Sequence, residues 1–216
     1  MKIDMPGKQE RLHGLYVITD AAITQQTRQP VEVMITQAIA GGARIIQYRN
    51  KQAPASEQHQ EAMRLAKLCA TQQVTFLIND DVDLAIAVNA DGVHLGQGDL
   101  PIASARQQLG EAKIIGITCH NDLALAERAQ AAGADYVAFG RFFPSHTKPA
   151  APGATVNTLI HAKQLLNLPV CAIGGITPNN APQLISSGAD MLAVIHAVLA
   201  APDIEQAARQ FANLFA

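Results

Sequence analysis

The sequence predicts a single (β/α)8 TIM barrel. Eight short strand-like runs alternate with eight amphipathic helix-like runs, and 216 residues over eight runs give about 27 residues per unit. Aromatic residues make up only 4% of the chain, so the core volume must come from Ile, Leu, Val and Ala, which suits parallel strands buried on both faces. The alternative is an open doubly wound sheet, but no GxGxxG follows the first strand-like run, which disfavours a nucleotide-binding version.

The expected elements follow from runs of β-branched residues and from the helical periodicity between them. The strands are predicted at 15–19, 44–49, 75–79, 92–96, 113–118, 136–140, 169–174 and 191–196. The helices are predicted near 31–40, 56–72, 81–88, 101–109, 121–132, 155–166, 178–187 and 203–214. Residues 21–30 are expected to form a long loop. One domain is expected over residues 1–216, with residues 1–13 as a loose leader.

Composition argues against several classes of partner. The net charge is −2 and there is no run of Lys and Arg, so no nucleic-acid surface is expected. No apolar stretch reaches membrane-spanning length and the N-terminus lacks an apolar signal core, which favours the cytoplasm. Cys69, Cys119 and Cys171 form no CxxC pair and are expected to be buried thiols, with a nucleophilic Cys119 as the weaker alternative. The sequence leaves the oligomeric state open.

In such a barrel the chemistry lies where strands end, at their carboxyl side. The second strand closes with Gln47, Arg49 and Lys51, which share one face if the extended geometry continues. Arg offers a planar fork and Lys a compact charge, so the pair suits an oxyanion of high charge. The alternative is a solvated strand end whose side chains point outward.

Two carboxylates close the neighbouring third and fourth strands. Asp80 and Asp99 could together hold one Mg²⁺, which proteins commonly bind through one or two carboxylates, waters and substrate phosphates. The alternative is that Asp80 or Asp81 caps the helix near 81–88 and that Asp99 caps the next one. His/Cys spacing for Zn²⁺ is absent.

The later strands close with polar groups that face the same cavity and with glycines suited to a second anion. Thr118 ends the fifth strand, and residues 145–148 form a polar cluster between Pro144 and Pro149 after the sixth. Gly174 and Gly175 end the seventh strand, where phosphate can approach backbone N–H groups. These features predict a diphosphate site with cations and metal, and a monophosphate site built from backbone.

The chain resembles the thiamine-phosphate synthase family. The resemblance covers nearly the whole length, and its most specific segments are QYRNK, FLINDDVDLA, DGVHLGQGDLP, IIGITCH, YVAFGRFFPSHTKP and AIGGI, in that order. It implies a (β/α)8 barrel that joins hydroxymethylpyrimidine diphosphate to a carboxythiazole phosphate with Mg²⁺, releasing pyrophosphate and forming thiamine phosphate.

The resemblance also implies roles for individual residues, with Arg49 and Lys148 as the catalytic pair. The implied pyrimidine diphosphate contacts are Gln47, Tyr48, Arg49, Asn50, Lys51, Asn79, Thr118 and Lys148. The implied thiazole phosphate contacts are Ser145, His146, Thr147, Gly175, Ile195 and His196. The implied Mg²⁺ ligands are Asp80 and Asp99. This chain departs from many family members at Asn50, where they have an acidic residue, and at Thr118 and His196, where they have Ser.

Two other functions stay open at this point. One is a barrel of the thiazole tautomerase type that lacks the transfer reaction. The other is a non-catalytic binding protein for thiamine precursors. The full set Arg49, Asp80, Asp99 and Lys148 favours the transferase over the tautomerase, and pyrophosphate release from the two substrates would separate all three functions.

Overall fold

The computed structural model describes residues 7–144 and 153–216. Eight parallel strands close into a barrel in sequence order, each paired with its neighbours along the chain and the last paired with the first. The (β/α)8 prediction is therefore confirmed. The strands are β1 (Gly14–Ile18), β2 (Ile45–Tyr48), β3 (Thr75–Asn79), β4 (Gly92–Leu95), β5 (Ile114–His120), β6 (Tyr136–Phe139), β7 (Val170–Ile173) and β8 (Met191–Val194).

Helices cover the outside of the barrel, where their apolar sides pack on the strands. Several begin at an aspartate whose carboxylate accepts backbone N–H groups of the first turn, as at Asp81, Asp122 and Asp203. The helices are α1 (Lys8–Arg11), α2 (Ala21–Thr27), α3 (Val31–Ala40), α4 (Ala55–Gln72), α5 (Val82–Ala87), α6 (Ile102–Leu109), α7 (Leu123–Ala131), α8 (Val156–Leu165), α9 (Ala181–Ser186), α10 (His196–Leu199) and α11 (Ile204–Ala212), followed by a short 3₁₀ turn (Asn213–Phe215). No helix in the described ranges is long and apolar enough to cross a membrane.

Alternate residues along each strand belong to two separate cores. One core fills the barrel interior and includes Tyr16, Ile45, Leu77 and Tyr136. The other lies between the barrel and its helices and includes strand residues of the opposite parity, such as Tyr48. This alternation follows from the two-residue period of a strand, and it decides which side chains can reach the mouth of the barrel.

The amino ends of the strands are tied together by a repeated aspartate. Asp91, Asp135 and Asp190 immediately precede the strands β4, β6 and β8. Each accepts a hydrogen bond from a backbone N–H at the start of the strand before, and each pairs with a cation. The sets are Asp91 with Phe76 and Arg11, Asp135 with Ile115 and Arg106, and Asp190 with Val170 and Lys163. These groups stabilise the end of the barrel opposite to the strand ends discussed below.

Two expectations about the first thirty residues are corrected. Residues 21–30 are not a long loop, because α2 occupies Ala21–Thr27 and Asp20 caps it by accepting from the Ala22 N–H at 2.9 Å. The described part of the 1–13 segment is not loose either. It forms α1, buries Leu12, and joins the aspartates at the amino end through Lys8 and Arg11.

Two boundaries near the chain's end also differ from the prediction. The helix expected at 178–187 begins only at Ala181. The strand expected at 191–196 ends at Val194, and His196 is the first residue of α10.

Candidate active site

A cavity of about 300 Å³ opens at the carboxyl end of the barrel. All eight strands or the residues that follow them contribute to its wall, as expected for this fold. It brings together most of the side chains singled out from the sequence that lie within the described residues. Those at the wall are Gln47, Arg49, Lys51, Asn79, Asp80, Asp99, Thr118, Gly175, Ile195 and His196.

Three side chains at the end of β2 and just after it become more exposed from the floor of the cavity to its rim. Gln47 is 2% exposed, and Arg49 and Lys51 follow at the same parity toward solvent. Thr19 holds the backbone of Arg49 in place, because its hydroxyl accepts from the Arg49 N–H at 2.8 Å and donates to the Arg49 carbonyl at 3.1 Å. The predicted convergence of Gln, Arg and Lys on one face is therefore present.

Asp80 stands at the turn after β3 in an unusual backbone conformation. Its φ is 64°, in the left-handed region, and its N–H donates to the His94 carbonyl at 2.9 Å. The Lys51 ammonium contacts its carboxylate at 2.7 Å. Burial alone would raise the pKa of this carboxyl. Lys51 and hydrogen bonding with Asp99 and Asn79 outweigh burial and place the pKa below its usual value.

The two carboxylates proposed as metal ligands are not used up as helix caps. Asp81, not Asp80, caps α5 by accepting from the Leu84 N–H at 2.8 Å. Asp99 accepts from the Gly96 N–H at 2.7 Å and lies two residues before the N-cap of α6.

Asp80 and Asp99 both line the cavity. Among the described residues no cluster of three or more His, Cys, Asp or Glu side chains could hold a metal. Two carboxylates that share a cavity with Arg49 and Lys51 fit Mg²⁺, which takes its remaining ligands from water and phosphate.

Tyr48 and Asn50 are not brought into the cavity. They have the opposite strand parity and face α4, where both contact Glu61. The Tyr48 hydroxyl donates to that carboxylate at 2.6 Å and the Asn50 amide donates to it at 3.0 Å. The Asn50 side-chain oxygen, Oδ1, also accepts from the backbone N–H groups of Gln52 and Ala53. Within the structure these two side chains fix the loop after β2 and do not line the cavity.

The ends of β7 and β8 form the opposite wall. Gly174 and Gly175 have φ values of 103° and 64° and lie at the cavity. The helix start expected directly after them is displaced, because the Thr177 N–H donates to the Asn180 side chain at 2.8 Å and α9 begins only at Ala181. Exposed His196 lies beside Ile195 on this wall.

The segment expected to lie between the two substrates falls outside the described residues. It contains Ser145, His146, Thr147 and Lys148. Pro144, the last described residue before it, lies at the cavity wall.

Polar side chains at the cavity wall to which the sequence analysis gave no role include His94 and Arg141. His94 lies in β4 opposite Asn79, and a polar residue within a short apolar strand was the available signal for it. Arg141 follows Gly140 directly after β6. A charged residue immediately after a strand was the available signal for it.

The three cysteines are buried and unpaired, and none lines the cavity. Burial, with a smaller contribution from Asp122, raises the pKa of the Cys119 thiol to about 12. Since the thiolate is the nucleophilic form, Cys119 is a poor nucleophile at neutral pH.

The fold and this site define a (β/α)8 barrel protein whose cavity combines cationic side chains with two carboxylates. The family model described as thiamine monophosphate synthase matches residues 15–198. The chain is 52% identical to a thiamine-phosphate synthase from Alcanivorax borkumensis, with 95% of each chain covered. It is 50% identical to one from Thioalkalivibrio sulfidiphilus, covering 95% of this chain and 97% of the relative.

A solved structure agrees with this assignment. The thiamine phosphate pyrophosphorylase from Pyrococcus furiosus superposes with a TM-score of 0.85 at 35% identity, covering 95% of this chain and 96% of that one. The chain belongs to the thiamine monophosphate synthase family.

Proposed function

We propose that this protein is a thiamine-phosphate synthase. It transfers the hydroxymethylpyrimidine group from its diphosphate to the ring nitrogen of a thiazole phosphate, which yields thiamine phosphate and pyrophosphate. The observation that carries the proposal is the meeting of Asp80 and Asp99 with Arg49 and Lys51 in one cavity of a barrel from this family. Its substrates are small molecules.

Asp80 and Asp99 would hold Mg²⁺, as a pair of carboxylates with room for phosphate oxygens. Bound there, the metal would neutralise part of the charge of the diphosphate. Lys51 pairs with Asp80 in the structure, so its ammonium lies beside a carboxylate that would hold the metal. On binding, this ammonium would exchange a carboxylate partner for a phosphate oxygen.

The reaction breaks the bond between the methylene carbon and the diphosphate oxygen, and the electron pair leaves with pyrophosphate. Arg49 and the predicted Lys148 stabilise this growing charge. The aminopyrimidine ring stabilises the cation that remains. The lone pair of the thiazole nitrogen then forms the new C–N bond, and the ring becomes a thiazolium. Holding both substrates in one cavity makes this capture faster than reaction with water.

The thiazole phosphate is assigned to the wall formed by β7 and β8. Gly175, Ile195 and His196 lie there, and the glycine leaves the backbone accessible to phosphate oxygens. Ser145, His146 and Thr147 are proposed to border the same substrate from the segment after β6. No protein nucleophile takes part, in keeping with buried, high-pKa cysteines. These unpaired thiols suit a reducing compartment, so we propose a cytoplasmic location.

The test uses the purified protein with Mg²⁺ and the two substrates, singly and together. Thiamine phosphate should form only when both are present. An isomerised thiazole phosphate without pyrophosphate release would instead indicate a tautomerase. Tight binding of either substrate without any product would indicate a binding protein, and either result would overturn the proposal.

A further inference from the structure

A chain of hydrogen bonds crosses the barrel beneath the cavity. The Gln47 amide nitrogen donates to the Tyr16 hydroxyl, which lies 3.0 Å from the Tyr136 hydroxyl. That hydroxyl lies 2.8 Å from Nδ1 of His94, and Nε2 of His94 lies 2.8 Å from the Thr118 hydroxyl. Both ends of the chain, Gln47 and Thr118, are at the cavity wall.

The barrel makes specific room for this chain. Tyr16 and Tyr136 are 1% and 0% exposed and belong to the interior core. A Cβ on Gly116 would come within 2.0 Å of the Tyr136 ring, so the glycine allows the ring to lie at this level. Gln97 fixes the far end, because its amide donates to the Thr118 carbonyl at 2.6 Å. Two hydroxyls in an apolar core require hydrogen-bond partners, and each has them here.

One direction of donation satisfies every group in this chain of hydrogen bonds. Because the Tyr16 hydroxyl accepts from Gln47, its own proton is available to Tyr136, and the Tyr136 proton is then available to Nδ1 of His94. An acceptor at Nδ1 places the imidazole proton on Nε2, which donates to Thr118. Burial raises the pKa of both tyrosines, so both hydroxyls stay protonated and can act as donors.

We propose that Tyr16, Tyr136 and His94 are positioning residues that fix which hydrogen-bonding groups Gln47 and Thr118 present to the pyrimidine ring. In this direction Gln47 keeps its carbonyl oxygen and one N–H for the ligand, and Thr118 keeps its hydroxyl proton. A carbonyl acceptor and a hydroxyl donor match the amino group and a ring nitrogen of an aminopyrimidine. The inference rests on the proposed function for the identity of the ring.

A positioning role and a purely structural role for the tyrosines predict different effects on the two substrates. A tyrosine that only fills the core would lower stability when its hydroxyl is removed, without favouring one substrate over the other. A polarised chain instead links the Tyr136 hydroxyl to the proton position on His94, and through it to recognition of the pyrimidine alone.

The first measurement needs no substrate. Nitrogen-labelled histidine is incorporated, the His94 signals are identified with a His94→Asn variant, and a long-range proton–nitrogen spectrum reports which ring nitrogen carries the proton. Wild type should show the proton on Nε2. Tyr136→Phe removes the donor to Nδ1 and should shift His94 to a mixture of proton positions. A proton on Nδ1 in wild type, or an unchanged His94 proton position in Tyr136→Phe, would refute the proposed direction of the hydrogen-bond chain.

The matched control is Tyr48→Phe. It also removes a buried, hydrogen-bonded hydroxyl, but this one donates to Glu61 outside the barrel. The His94 spectrum should be the same as in wild type.

The second measurement is binding of hydroxymethylpyrimidine, the alcohol without diphosphate, by calorimetry, together with steady-state kinetics. Tyr136→Phe and Tyr16→Phe should weaken pyrimidine binding about 3–10-fold, the size of one net hydrogen bond, with the thiazole phosphate KM changed less than about twofold. Equal changes for both substrates, or only a lower melting temperature, would overturn the proposal. Absence of turnover would count against the proposed function, while the His94 spectrum would still test the chain of hydrogen bonds from Gln47 to Thr118.

Discussion

A single methyl group added at Gly175 should weaken binding of the thiazole phosphate much more than binding of the pyrimidine diphosphate. Its φ of 64° lies in the left-handed region. An added Cβ would come within 2.3 Å of the Pro144 carbonyl oxygen and 2.8 Å of the Phe143 Cβ. The methyl of Gly175→Ala therefore contacts the loop after β6, directly before residues 145–148, and does not simply fill empty space in the cavity.

The magnitude follows from two contributions. The left-handed backbone costs a residue with a Cβ about 1–2 kcal/mol. Displacing well-packed backbone typically costs a further 1–3 kcal/mol or so. The free energy of unfolding should fall by about 2–5 kcal/mol in all. For a chain of this length, 1 kcal/mol lowers Tm by about 2–4 °C, so we expect a decrease of about 4–20 °C.

Gly133→Ala is the matched control. Its φ is 90°, and a Cβ there meets nothing within 4 Å, so it carries the backbone strain without the contact. Its Tm should fall by only about 2–8 °C, which is the strain alone.

The assay combines thermal unfolding with the KM of each substrate. Because the displaced loop precedes the segment assigned to the thiazole phosphate, the thiazole KM of Gly175→Ala should rise at least about tenfold, an effect of about 1.4 kcal/mol. The pyrimidine diphosphate KM should change less than about threefold. If Gly175→Ala and Gly133→Ala have the same Tm and Gly175→Ala leaves the thiazole phosphate KM unchanged, the contact with Pro144 has no consequence and the reasoning fails.

Three further changes test the site. Asp99→Asn keeps an acceptor for the Gly96 N–H but loses a charge, so kcat should fall at least about tenfold. The Mg²⁺ concentration needed for half-maximal activity should rise. Exposed Asp83→Asn is the control and should match wild type in the same Mg²⁺ titration. Cys119→Ala should keep kcat within about threefold of wild type, and a loss of about a hundredfold or more would reveal a covalent step. His196→Ser should leave the thiazole phosphate KM nearly unchanged from about pH 6 to 8.5, since backbone is assigned the contact; a rise with pH in wild type that disappears in the variant would favour an imidazolium contact.

The sequence predicted the barrel because its eight strands are marked by repeated short apolar runs. It did not predict α2, in which only Ile23 is buried, so that no apolar stripe distinguishes the helix from a polar loop. Asp20 before Ala21 was a capping signal that could have found it. The role of residues 8–12 depends on Asp91 and Asp135, whose proximity only the closed barrel establishes.

The site was predictable where it depends on strand parity. That rule correctly placed Gln47, Arg49 and Lys51 on one face, and applied to the whole QYRNK segment it would have excluded Tyr48 and Asn50. The chain of hydrogen bonds beneath the cavity was not predictable, because it joins side chains as far apart in sequence as 120 residues. Their distances depend on how the barrel closes, and a single sequence does not specify that geometry locally.

The most direct test of the transfer is the fate of the oxygen that joins the methylene carbon to the diphosphate. This bridging position is labelled with a heavy oxygen isotope, and the products formed with thiazole phosphate and Mg²⁺ are examined by mass spectrometry. Breaking of the carbon–oxygen bond places all of the label in pyrophosphate and none in thiamine phosphate, which is the result expected here. Label retained in free hydroxymethylpyrimidine would show that a phosphorus–oxygen bond breaks instead and would contradict the account.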